Sequence, residues 1–201
     1  MLIESELRLR EVYGHPKGRA KDKQLDALER HSTNFIEHAP FMTLSTYATS
    51  GSLDCSPRGG SPGFVKVVNE NCIIIPDSKG NNRLDSLVNI IETGQVGCLF
   101  LIPGVDETLR INGLGQISTS VAHLKLFSHH NNPPKTCIEI SIKEVFLHCA
   151  KALMRSKLWS ADAKIERSQF PTIATMLNDQ LCSTEPLESQ ATMVARYQQD
   201  L

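Results

Sequence analysis

Hydrophobic and polar positions follow two different periods along this chain. Across Lys23 to His38 the apolar residues Leu25, Leu28, Phe35 and Ile36 fall near one face of a helical wheel, which predicts a helix stopped at Pro40. Beyond it the period shortens. Phe41–Tyr47 is rich in β-formers and predicts a strand, followed by a turn at Thr49–Ser52. Residues 54–63 carry Pro57, Gly59, Gly60, Pro62 and Gly63 and read as a long irregular loop, because such residues do not hold a regular ladder. Phe64–Val68 and Cys72–Ile75 predict two more strands. The turn Pro76–Asn81 then opens an amphipathic helix in which Leu84, Leu87, Val88 and Ile91 form a single apolar stripe, ending at Gly94. Val96–Ile102 is almost wholly apolar and predicts a central strand. Leu109 to Ile117 alternates, and so do Ile138, Ile140 and Ile142, in a last strand that runs on to Leu147. After Trp159 the helical period returns at Ile173, Met176, Leu177 and Leu181, and again over Leu187–Tyr197.

Short strands at this density, with one inserted helix, predict a mainly β fold: a small antiparallel barrel with flanking helices. The expected division is an N-terminal helical extension over 1–39, the barrel over 40–159 and a helical segment over 160–201. Composition narrows the function classes. The 201 residues suit one domain, and 40% hydrophobic with 21% charged residues is ordinary globular usage. Lys+Arg is 21 against 22 Asp+Glu, a formal net charge of −1, so no general footprint for nucleic acid or a membrane surface exists. A local anion site needs only two or three cations and remains open. No apolar stretch approaches the ~20 residues of a membrane span, and Met1–Glu6 carries early acids unlike a signal peptide. Cys55, Cys72, Cys98, Cys137, Cys149 and Cys182 are scattered without a CxxC pair, which predicts reduced thiols and a cytoplasmic protein with no disulfide framework or metal site.

Three segments carry candidate chemistry. Pro76–Arg83 lies between a strand and a helix. The first amides of that helix have no internal partner and sit at the positive end of its dipole. Lys79 and Arg83 add cations, and Asn81 and Asn82 add amide donors, a set that suits a phosphate. The same residues also suit an ordinary capped turn with solvated charges. Ser56–Lys66 is glycine- and proline-rich, with Arg58 and Lys66 able to reach an anionic group; it reads equally as a surface crossover. His148–Trp159 carries Lys151, Arg155 and Lys157, with His148 as a fourth cation if protonated, and ends on the only Trp; it suits a flat charged ligand, a subunit contact, or a short basic helix packed through Leu153 and Leu158. Gly113–Ser118 reads GxGxxS inside a strand pattern, so it is no dinucleotide fingerprint. His129–His130 reads as a loop tip.

Taken in order, Asp54–Gly59, Phe64–Val67, Ile75–Asp77, Gly80–Asp85, Phe100–Gly104, Glu107–Gly113 and His148–Ala152 resemble the pyridoxamine-5′-phosphate-oxidase-like FMN-binding proteins, and within them a bacterial subgroup of FMN-dependent enzymes without an assigned substrate. The similarity covers about residues 5 to 182. It implies an FMN-binding split β-barrel of Greek-key type and a homodimer with FMN at the subunit interface. It also implies that Lys79, Asn82 and Arg83 hold the flavin phosphate, with Lys66 near it or near a substrate. Arg58, Gly59, Pro76, Asp77 and Thr108 would line the isoalloxazine, and Lys151, Arg155, Ser156 and Trp159 would approach from the partner chain. The chain lacks the oxidase's own C-terminal arginine–histidine substrate signature, and Gly60 stands where the subgroup commonly has an acid. The expected activity is an FMN-dependent oxidoreduction with hydride transfer at flavin N5. The alternatives are a non-catalytic flavin-binding or sensing protein, and a split barrel that takes haem or a deazaflavin, for which His148 is the residue of interest.

Overall fold

Strand pairing sets in where the sequence begins to alternate. Phe41–Tyr47 forms β1, and Leu53–Gly59 forms β2 antiparallel to it, in register from Phe41 opposite Gly59 to Tyr47 opposite Leu53. The computed structural model describes residues 2–18 and 22–200. Its further strands are β3 (Lys66–Asn69), β4 (Cys72–Pro76), β5 (Gln95–Leu101), β6 (Thr108–Ser118) and β7 (Cys137–His148). They join one sheet in the order β2-β1-β5-β6-β7-β4-β3, every neighbour antiparallel. Met42 and Leu44 of β1, Phe100 of β5, Ile111 of β6, Ile140 of β7 and Ile73 and Ile75 of β4 fill one core on its inner face, closed by Phe64 and Val65 from the β2–β3 connection. The mainly β architecture with flanking helices agrees with the sequence pattern.

The helices are α1 (Glu6–Tyr13), α2 (Arg30–His38), α3 (Asp85–Thr93), α4 (Val121–Lys125), α5 (Lys151–Ser156), α6 (Ile173–Leu181) and α7 (Gln190–Gln198). Among the described residues, no helix is long and apolar enough to cross a membrane. Several expectations need correction. The helix expected over Lys23–His38 begins only at Arg30. Leu25 is extended instead, exchanging two backbone hydrogen bonds with Val145 of β7 at 2.9 and 2.8 Å. Residues 54–59, expected as loop, are strand. Pro57 is tolerated because β2 is an edge strand bonded only to β1, the position in a sheet where a missing amide costs least. The apolar stripe of α3 is only partly turned to the core: Leu87 packs against it beside buried Ile90, whereas Leu84, Val88 and Ile91 are exposed and the polar Ser86 and Asn89 are buried. Polar bonds add to this seating, Asn89 Nδ2 donating to Thr46 Oγ1 at 3.0 Å and Ser86 Oγ to Asp54. Helices α1 and α4 carry no buried residue and left no signal in the hydrophobic pattern.

One β-bulge matters for packing. Asn112 pairs with Glu144 but Gly113 pairs with Ile142, which leaves Lys143 unmatched. There β6 and β7 approach so closely that a Cβ on Gly113 would lie 2.3 Å from the backbone oxygen of Ser141.

Helix α2 opens on a reciprocal cap. The Glu29 carboxylate accepts from the amides of Ser32 (2.7 Å) and His31 (2.8 Å), and the Ser32 hydroxyl accepts from the Glu29 amide at 2.8 Å. Burial pushes the Glu29 pKa up, but the bonds from His31 and Ser32 together outweigh it and hold the carboxyl below its ordinary value. Glu29→Ala is expected to cost about 1 kcal/mol in urea denaturation at neutral pH. A depressed carboxylate stabilises above its unfolded pKa and loses that contribution as pH falls through the folded one. Wild type and variant should therefore converge in acid; a gap that persists there would contradict the ionic cap.

Candidate functional site

The end of β2 and the end of β4 stand on either side of an open cleft of about 690 Å³, within the roughly 300–1,000 Å³ usual for small-molecule sites. The β4–α3 connection and the first turn of α3 form one wall. Asn132, Pro133, Pro134 and Lys135 of the α4–β7 connection form another. Arg58, Gly59, Pro76, Asp77, Lys79, Asn82 and Arg83 all line this cleft, so the first two candidate segments converge on one site.

The start of α3 is unusual in its chemistry. Its N-cap is Leu84, which lies in the left-handed region at φ 62° and makes no side-chain cap, and Asn82 is left-handed too, at φ 59°. The Asn81 side chain instead caps its own loop, accepting from the Arg83 amide at 3.1 Å. The first amides of α3, at Asp85 and Ser86 on the cleft wall, are thus left without a side-chain acceptor at the positive end of the helix dipole. Two cations flank them. Arg83 Nε lies 2.5 Å from Asp85 Oδ2, and Lys79 Nζ lies 2.5 Å from Asp200 Oδ1. Both pairs are largely exposed and screened by solvent, so a bound anion can exchange with them.

Beneath these cations a polar chain fixes Arg58. Its guanidinium donates to Pro57 O at 2.9 Å and to Ser86 Oγ at 3.0 Å; Ser86 Oγ donates to Asp54 Oδ2 at 2.5 Å; and Ser56 Oγ donates to the same carboxylate at 3.0 Å. Asp54, Ser56 and Arg58 project from one face of β2 because alternate strand residues share a face. Reading this segment as loop hid that alignment, and Ser86 carried no signal of its own in the sequence. Cys98 lies buried nearby; burial pushes its thiol up to about 12, against a smaller opposing effect of Arg58, so it stays protonated and unreactive at neutral pH.

The remaining candidates sit elsewhere in the chain. Lys66 Nζ donates to Gly63 O at 2.8 Å, beside the cleft rather than in its lining. Thr108 is buried at the start of β6, opposite His148. Lys151, Arg155 and Ser156 ride on α5, with Ser156 Oγ bonded to Leu153 O at 3.0 Å. Trp159 donates its indole N–H to Val105 O at 2.9 Å, which pins the segment after α5 to the β5–β6 connection. The surroundings of His148 disfavour the protonated form that would make it a fourth cation. Burial, then the charges of Arg110 and Lys23, push its pKa down, and its Nε2 is buried without a hydrogen-bond partner.

Comparison with known proteins identifies similar chains. The family model of pyridoxamine 5′-phosphate oxidase matches residues 28–149. HupZ of Group A Streptococcus superposes with a TM-score of 0.51 at 15% identity, over 60% of this chain and 93% of its own. A variant of HupZ gives the same score and identity over 60% of this chain and 98% of its own. A Lactobacillus delbrueckii protein provisionally described as a pyridoxamine 5′-phosphate oxidase gives a TM-score of 0.48 at 16% identity, over 62% of this chain and 98% of its own. At these identities the structural likeness concerns the fold. No curated protein matches the sequence.

Proposed function

Because the chain belongs to the pyridoxamine 5′-phosphate oxidase family and folds as its split barrel, we propose that it binds FMN in the β2–β4 cleft and serves as an FMN-dependent oxidoreductase. The observation that carries this reading is the uncapped start of α3, flanked by Lys79 and Arg83 on the cleft wall. Free amides, a helix dipole and two cations are what a phosphate monoester needs, and charge-assisted bonds of this kind contribute roughly 1.5–3 kcal/mol each. Asn82 adds a further amide donor. Arg58, held by Ser86, and the backbone at Gly59, Pro76 and Asp77 would then border the flavin ring. Bound FMN supplies hydride transfer at its N5 position; the protein supplies grip, orientation and charge near the ring.

Residues outside the cleft lining enter this reading through a second copy. Thr108, Lys151, Arg155, Ser156 and Trp159 do not line the cleft of their own chain, so a homodimer that presents them to the partner's cleft is part of the proposal, with Lys66 at its margin. In the haem alternative His148, whose Nε2 is buried without a hydrogen-bond partner, is the residue to mutate.

Titrating the purified protein with FMN tests this. Saturable binding, one flavin per chain, with flavin absorbance retained through gel filtration as a dimer, is the expected result. Absence of binding ends the reading, and a Soret band as purified would redirect it to haem. Turnover with NADH or NADPH and common acceptors separates an oxidoreductase from a flavin-binding or sensing protein.

A further inference from the structure

The segment after α7 reaches the candidate anion site from outside the barrel. Ser189 caps α7 by accepting from the Thr192 amide at 3.1 Å, and Met193 is its one buried residue at 8% exposure, so one face of the helix is docked. From its end the chain runs to the cleft and touches both walls. Gln199 O accepts from Asn132 Nδ2 at 3.3 Å, and the Asp200 carboxylate lies on Lys79 Nζ. Asn132 and Lys79 belong to different loops, yet both line the cleft. An acidic side chain therefore occupies the ammonium that, on the reading above, would grip the ligand's phosphate.

We propose that residues 199–200 are an internal competitor for this anion site, a strap that an incoming phosphate must displace. The inference rests on the assignment of the cleft as a phosphate site. Two physical facts give it direction. A carboxylate within a few ångströms of a phosphate dianion repels it, so both anions cannot share Lys79 without cost. The Lys79–Asp200 pair is also solvent-exposed, with side-chain exposures of 64% and 38%, so it is weak enough to be broken by a ligand that gains the helix amides as well. The closed strap lowers the fraction of molecules competent to bind, and the apparent dissociation constant rises in proportion.

The test is a double-mutant cycle read by FMN titration of the intact 201-residue chain at low salt. Asp200→Asn should tighten FMN binding about two- to fivefold, the worth of an exposed ion pair. The gain should vanish when Lys79 is already Ala. If wild type fails to bind but Asp200→Asn binds, the strap is a stronger block than an exposed pair implies, and the inference stands. If wild type binds and Asp200→Asn is unchanged, the strap is overturned while the cofactor assignment survives. A gain that persists in the Lys79→Ala background is a long-range charge effect and also overturns it. If neither protein binds FMN, the cofactor assignment and the strap fall together.

Discussion

Gly113→Ala is expected to destabilise the protein by ~3 kcal/mol or more, enough to lower the melting temperature sharply and to reduce the yield of folded protein. The added methyl would lie 2.3 Å from Ser141 O and 3.0 Å from Ile140 Cγ2. The first contact is with backbone, which cannot swing aside as a flexible side chain would. Relief requires β6 and β7 to separate at the bulge, and these are the longest strands of the sheet, paired from Thr108 to Ser118. The matched control is Gly80→Ala, where nothing lies within 4 Å of the added atom and a change within about 0.5 kcal/mol is expected. Thermal and urea melts of the two variants decide the point. Equal midpoints would show that the strands are not in the close register described.

Arg83→Ala is expected to weaken FMN binding roughly 10- to 150-fold, the equivalent of ~1.5–3 kcal/mol for a lost charge-assisted phosphate bond. The free protein already spends this cation on Asp85. That exposed contact is replaced by a stronger one when a phosphate reaches the α3 amides. Arg83→Lys should recover part of the loss, because a point charge replaces the cation but not its forked donors. Fluorescence titration with FMN and with riboflavin separates phosphate recognition from ring recognition: riboflavin should bind both proteins alike. Undiminished FMN affinity in Arg83→Ala would place the phosphate away from the start of α3.

Much of the barrel was legible because its strands alternate cleanly. β1 was read to the residue, and Val96–Ile102 and Ile138–Leu147 fall within a residue or two of β5 and β7. The misreadings share a cause, which is tertiary context overriding a local rule. Pro57 argues against a strand until one knows that β2 lies at the edge of the sheet. Leu25 looks helical until Val145 supplies an edge to pair with. On α3 only Leu87 of the apolar stripe packs on the core, because buried Ile90 and the bonds of Ser86 and Asn89 set the face the helix presents. At the site, residue types marked Arg58–Gly59 and Pro76–Arg83 as separate candidates, and only the family resemblance assigned the two segments to one ligand. The Arg58–Ser86–Asp54 chain could not be grouped from sequence, since it joins a strand and a helix 28 to 32 residues apart.

The polar seating of α3 bears on how the cleft would work. Beside the core contacts of Ile90 and Leu87, the bonds from Asn89 to Thr46 and from Ser86 to Asp54 are directional and admit one placement of the helix. A shift of a single residue along its axis would break both. The amides at the mouth of the cleft are therefore aimed before any ligand arrives, and an anion that settles there meets donors whose ordering cost was already met when the chain folded.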